Sequence, residues 1–216
     1  VKQREYKKAM RDLEFILSIE NDEKFFEKIR NSIDLKKYEA NQPEKVFHKW
    51  IELNLWIFGA QYYKKHQFRK IGDDNSEADV VLETPDGFVS LIEVKRPLLG
   101  QPLFRYDNSH RSYFPTSAFS LAIGQCLIYL QRIENFKKEL ESKHSVQILR
   151  PRIQLIIGRS NMFTEAEKEA LHFLNSSLYN LGPGHERHRE DHNQKGYFYP
   201  CYLGQIGNDD NFLCHQ

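Results

Sequence analysis

The sequence predicts a mixed α/β domain, with one mixed central sheet flanked by helices. Three observations predict it. Two strand patterns, 78–83 and 88–95, stand on either side of a strong turn signal, Thr84-Pro-Asp-Gly87. A further run, Pro151-Arg-Ile-Gln-Leu-Ile-Ile-Gly158, is mostly apolar, as interior parallel strands are. Segments of helical periodicity precede and separate these strands.

Each element has a local warrant. The first ~38 residues are charged and helix-favouring, with Leu13, Phe15, Ile16 and Leu17 as an apolar patch. Ile19-Glu-Asn-Asp22 reads as a break between two helices. The chain opens on Val-Lys-Gln-Arg-Glu without an initiator Met, so 1–40 is expected to be a helical connector to an upstream domain and 41–216 the main domain. A helix is expected from Pro43 to about Phe58, because Pro suits a first helical turn and Val46, Phe47, Trp50, Leu53 and Ile57 recur at helical spacing. Pro97 stops the second strand of the hairpin, and 98–116 reads as a long irregular loop rich in aromatic and basic residues. A long amphipathic helix is expected from 117 to about 142. Thr164-Glu-Ala-Glu167 is a capping box that opens another. The tail from Gly182 is rich in Gly, His and Asn and carries an aromatic stretch, Tyr197-Phe-Tyr-Pro-Cys-Tyr202. No internal repeat is present.

Composition narrows the function classes. The 216 residues carry a net charge of +1, which neither favours nor excludes a nucleic-acid partner, since a local basic groove can coexist with an acidic site. No apolar run approaches the ~20 residues needed to cross a bilayer, so no membrane association is expected. The three cysteines, Cys126, Cys201 and Cys214, lack metal-ligand spacing and read as reduced thiols of a cytoplasmic protein. Neither a Gly-rich phosphate loop nor a Ser or Cys nucleophile arrangement occurs. His185-Glu-Arg-His188 and Asp191-His192 have no cysteine partner at ligand spacing, and they read as a surface loop rather than a zinc site.

One constellation carries chemistry. In Glu93-Val94-Lys95 the two charged residues share one face of a strand. Asp79 opens the preceding strand an even number of positions earlier. It stands across from Glu93 only if the hairpin connection holds an odd number of residues or a bulge supplies one; a two-residue loop would separate the carboxylates. Two carboxylates on adjacent strands make a hard oxygen site for Mg²⁺ or Mn²⁺, to which the Val94 carbonyl can add a ligand. Such a metal acidifies a bound water and neutralises a scissile phosphate, and Lys95 can orient the attacking hydroxide. The alternative is a solvated strand face with a cross-strand ion pair. Placement at the end of an apolar strand, after Leu91-Ile92, weighs against it. Arg96 follows the motif and can reach a phosphate, although alternation aims it away from Lys95. The 98–116 segment, with Arg105, Tyr106, His110, Arg111 and Tyr113, is either a lid over nucleic acid or a disordered loop.

Asp79…Glu93-Val94-Lys95, preceded by a helix and followed by Gln125 and Tyr129 on a long helix, resembles the PD-(D/E)XK nuclease superfamily. More narrowly, Phe47-His-Lys-Trp-Ile-Glu-Leu-Asn-Leu-Trp-Ile-Phe-Gly59, Ala78-Asp-Val-Val-Leu82 and Ile92-Glu-Val-Lys-Arg-Pro97 resemble the nuclease domain of Shedu anti-phage defence proteins over roughly 43–160. The superfamily's Pro-Asp pair is here Ala78-Asp79. The resemblance implies a restriction-endonuclease-like core in 41–216 and Mg²⁺-dependent hydrolysis of DNA, phage-derived, by a homo-oligomer. Asp79, Glu93, Lys95 and Gln125 would be catalytic, Gln125 by helping to place the strand, with Asp79, Glu93 and the Val94 carbonyl on the metal. It implies that Glu44, an acid on the first helix of such nucleases, assists metal binding; a plain first-turn acid favouring the helix dipole is the alternative. Gln125 and Tyr129, one helical turn apart, correspond to a pair that faces the site and contacts DNA; a polar stripe beside the core is the alternative. The rival functions are a DNA- or partner-binding module that does not cut, and an oligomerisation module built on a nuclease-like core.

Overall fold

The computed structural model describes residues 2–19, 22–72, 76–96, 102–149, 151–159, 163–180 and 201–206. Its elements run α1 (Lys2–Ile19), α2 (Phe25–Asn31), α3 (Pro43–Leu53), β1 (Lys64–Lys65), β2 (Val80–Glu83), β3 (Val89–Val94), β4 (Phe104–Asp107), β5 (Ser112–Pro115), α4 (Ser117–His144), β6 (Arg152–Arg159), α5 (Glu165–Asn180) and β7 (Cys201–Ile206). Five strands form one sheet in the order β1-β2-β3-β6-β7. The first three pair antiparallel, while β6 lies parallel to β3 and β7 parallel to β6. This is the mixed sheet flanked by helices that the sequence predicts.

Alternation along β2, β3 and β6 divides the core between the two faces of the sheet. Val81, Leu91, Ile153 and Leu155 face α4 and α5, against Phe119, Ile123, Cys126, Ile133 and Leu171. Val80, Leu82, Ile92, Val94 and Ile156 face α3, against Val46, Phe47, Trp50 and Ile51. The helices of the first 40 residues belong to this second core. Leu13, Ile16 and Leu17 of α1 and Phe25 and Ile29 of α2 are buried in it, and Trp50 donates its indole N–H to the Ala9 carbonyl at 2.9 Å.

Two expectations need correction. The helix from Pro43 ends at Leu53 and continues only as a 3₁₀ turn over Leu55–Phe58. Asn54 ends it by donating its side-chain amide to the Trp50 carbonyl at 2.7 Å, a local bond that competes with the helix ladder. Nor is the long segment after β3 irregular throughout: β4 and β5 pair as a separate two-stranded hairpin. Such a hairpin is marginal alone, and this one is rooted by buried Leu103 and Phe104, the latter edge-on to Phe119 at 5.4 Å. Its tip turns on Asp107, which accepts the Ser109 N–H at 2.8 Å, and on Arg111 at φ +49°. No Gly or Pro marks that turn, which is why the pattern is hard to see in the sequence. The capping box at Thr164 and Glu167 is formed as expected, each side chain taking the other's backbone N–H. Pro97, Cys214 and the His185–His192 segment lie outside the described residues.

Candidate active site

The hairpin connection decides whether a site exists. Between Glu83 at the end of β2 and Val89 at the start of β3 lie five residues, Thr84 to Phe88, an odd number. Gly87, at φ +82°, takes the left-handed conformation that closes the turn, and its N–H reaches the Thr84 carbonyl at 2.9 Å. The resulting register pairs Val80 with Ile92. One step further, Asp79 stands across from Glu93.

Asp79 also ends the ladder. Its Oδ2 accepts the Val94 N–H at 2.8 Å, the strand donor that the next ladder rung would otherwise use. Glu93 lies on the α4 face beside Leu91 and is only 3% exposed. Lys95 donates to Glu93 Oε1 at 2.6 Å and lies 3.9 Å from Glu44 Oε1. Among the described residues nothing bonds Glu93 Oε2, which is buried. Burial and the like charge of Asp79 push the Glu93 carboxyl up to about 7, against the opposing pull of Lys95. An unpaired buried carboxylate oxygen is costly, and a second acid beside it raises the cost.

His48 was not singled out from the sequence. One turn past Glu44 on α3, it sets Nδ1 3.1 Å from Asp79 Oδ1 and Nε2 3.0 Å from the Val94 carbonyl, with Glu44 Oε1 at 3.8 Å. Both near partners accept only, so both ring nitrogens must donate and the ring carries a proton on each. Burial pulls its pKa down, but Asp79 and Glu44 outweigh that and raise it to about 10. Glu44 in turn is held below the usual carboxylate range, chiefly by His48. The available signal was the i, i+4 spacing of an acid and a histidine on a helix that precedes the strands.

The structure thus brings together Asp79, Glu93, Lys95, Glu44 and both polar groups of Val94. Gln125 and Tyr129 bond each other at 2.6 Å, and the Tyr129 hydroxyl donates to the Glu77 carbonyl at 3.0 Å, two residues before Asp79. The Tyr129 ring is buried in the α4-side core, so the pair ties α4 to the segment that carries Asp79. Burial, and next the Gln125 bond and the charges of Glu93 and Asp79, act on the Tyr129 hydroxyl, whose pKa is raised. Arg96 follows Lys95 and is half-buried, whereas Arg105 and Arg111 are exposed on the β4–β5 hairpin.

Among the described residues no three His, Cys, Asp or Glu side chains form a ready-made metal cage. The donor set has a different character: two facing carboxylates, one with a free buried oxygen, beside a backbone carbonyl. Mg²⁺ is held by one or two carboxylates and completes its octahedron with water and substrate phosphate, so these residues fit it.

These features define a mixed α/β domain with a buried carboxylate–lysine centre at the carboxyl end of a sheet strand, where open α/β sheets place their ligand sites. Residues 41–182 match the family model described as Shedu protein SduA, C-terminal, and the chain belongs to that family. Membership places it among anti-phage defence proteins. No curated protein matches the chain. Among the described residues no helix is long and apolar enough to cross a membrane.

Proposed function

We propose that this domain is a PD-(D/E)XK nuclease that hydrolyses DNA phosphodiesters with Mg²⁺ or Mn²⁺ in defence against phage. The observation that carries the reading is Glu93 Oε2, buried and unpartnered, with Asp79 across from it. A buried carboxylate with one oxygen unpaired and a second acid beside it is unfavourable unless a further cation is bound there. Asp79 and Glu93 would hold the metal, with the Val94 carbonyl and Glu44 as further oxygens. Bound there, the metal supplies an acidified water and neutralises charge on the scissile phosphate. Lys95 orients the attacking oxygen and stabilises developing negative charge. His48 holds Asp79 and faces the Val94 carbonyl. Gln125 and Tyr129 brace the segment before Asp79. Phage-derived DNA is the substrate, with Arg96, Arg105 and Arg111 as its phosphate contacts. Exposed Leu121 and Ile128 on α4 support self-association, which light scattering tests.

The test is cleavage of linear and circular DNA by the wild type with Mg²⁺, the wild type with EDTA, and Lys95→Ala with Mg²⁺. Loss of cutting in the last two supports the reading. Normal cutting by Lys95→Ala rejects it.

One observation favours a second reading, a closed or non-cutting module. His48 and Lys95 already occupy Asp79 Oδ1, the Val94 carbonyl and Glu93 Oε1. A folded wild type that binds no Mn²⁺ and cuts no DNA would fit that reading instead.

A further inference from the structure

The β4–β5 hairpin joins β3 to α4 and stands outside the main sheet. Its root lies at the end of the sheet that carries Glu93 and Lys95. Leu103 packs so closely on Gly158 that a Cβ there would come 3.1 Å from Leu103 Cδ1. Gly158 is two residues past Ile156, the β6 partner of Val94. The hairpin therefore rises beside the carboxyl ends of β3 and β6.

Its two faces differ. Residues that pair directly across an antiparallel ladder share a face. Phe104 pairs with Pro115 and Tyr106 with Tyr113, and this face turns its root into the core. Arg105 pairs with Phe114, and Asp107 with Ser112, on the other face. There Phe114 is 38% exposed, its ring stands nearly perpendicular to that of His110 with centroids 6.1 Å apart, and Asp107 holds the His110 ring at 2.9 Å. Arg105 and Arg111 have no acidic partner among the described residues. An exposed phenyl ring, a guanidinium directly beside it and an oriented imidazole make a surface of flat π-faces, on which Asp107 is engaged by His110 while Arg105, and Arg111 at the tip, form no ion pair among the described residues.

We propose that this face is a stacking platform for an unpaired DNA strand: a base stacks on Phe114 and Arg105 meets the adjoining phosphate. The proposal rests on the nuclease reading and names the form of its substrate. Charge complementarity selects a polyanion as the occupant. The ring selects unpaired bases, because a duplex hides its base faces within its own stack, while every unpaired base offers one. The platform then feeds a single-stranded end or flap toward Glu93 and Lys95 at the same end of the sheet.

The test is fluorescence anisotropy in EDTA, which separates binding from cutting, with a labelled single strand and a blunt duplex of the same sequence. Wild type is compared with Phe114→Leu, which keeps the apolar bulk without a π-face, and Phe114→Trp, which keeps the face. The wild type is expected to bind the single strand more tightly than the duplex. Phe114→Leu should weaken single-strand binding about tenfold and leave duplex binding nearly unchanged, with Phe114→Trp close to wild type. Equal single-strand affinity in wild type and Phe114→Leu overturns the proposal, as does a parallel loss on both ligands. Cleavage with Mg²⁺ is read separately. A wild type that cuts while Phe114→Leu binds the strand normally sinks the platform alone. A wild type that never cuts while Phe114→Leu loses the strand sinks the nuclease reading alone.

Discussion

Two buried glutamates stand at opposite ends of the β2–β3 ladder, on the same face of the sheet, and they are treated in opposite ways. Glu83, at the hairpin end, is 8% exposed and bonded by His66 at 2.8 Å, with Lys64 at 3.7 Å. Its carboxylate is engaged by these two side chains, and no acid faces it on the paired strand, where Val89 stands opposite. Glu93, at the other end, is more buried still, faces Asp79, and leaves one oxygen without a partner. Its carboxyl is pushed up to about 7 by burial and that neighbouring charge. Placement on the strand and burial are alike, so neither separates structure from chemistry. What separates them is the second acid and the unbonded buried oxygen at Glu93, which Lys95, at 2.6 Å from the other oxygen, does not satisfy.

The comparison can be broken by exchanging each end in turn. The largest expected effect is on cutting: Lys95→Ala should reduce cleavage by roughly a thousandfold or more, read as initial rate on linear DNA. His66→Ala should leave that rate within about twofold, yet cost about 2 kcal/mol of stability, because it takes from the buried Glu83 carboxylate its hydrogen-bond partner and leaves only Lys64 nearby; urea denaturation reads this. If His66→Ala abolished cutting in a folded protein, the two ends would not be separable. His48→Ala should raise the Mn²⁺ concentration at half-saturation about tenfold to a hundredfold, as loss of groups that hold ligating carboxylates does. Titration by isothermal calorimetry would show it, and an unchanged midpoint would leave His48 with no part in the site.

The smallest effect is on pH. The Glu93 carboxyl is raised from 4.5 to about 7 in the fold. Between those values the folded protein holds a proton that the unfolded chain has lost, so stability declines as pH rises through this window and the full penalty applies above it. Glu93→Gln should remove that decline and raise the metal-free melting temperature at pH 8 by about 5 °C. The Glu83→Gln melting curve should show no such gain. His48 works in the opposite sense: its contribution is complete below 6.5 and fades as pH rises through about 10.

Much of the site is legible along the chain because a strand has period two. Glu93 and Lys95 must share a face, and Leu91-Ile92 before them mark the strand as apolar. Whether Asp79 meets Glu93 was conditional on the parity of a connection, and Thr84 to Phe88 meets that condition without a bulge. His48 stayed hidden because its partners lie 31 and 46 positions away, at Asp79 and Val94, and no local pattern announces so distant a contact. Helical spacing puts Gln125 and Tyr129 on one face, but only the fold shows that the Tyr129 ring packs in the core while its hydroxyl reaches the Asp79 segment through Glu77.

By itself the sequence determined the sheet, its flanking helices and the acid–lysine motif at a strand's end, because hydrophobic periodicity and turn chemistry are local properties. The order of strands in the sheet, the merging of the first helices into the α3-side core and the hairpin beside the site were decided by tertiary structure. So was the contrast between Glu83 and Glu93. Counter-charge and burial are set by residues distant in sequence, and they appear only when packing removes the water between them.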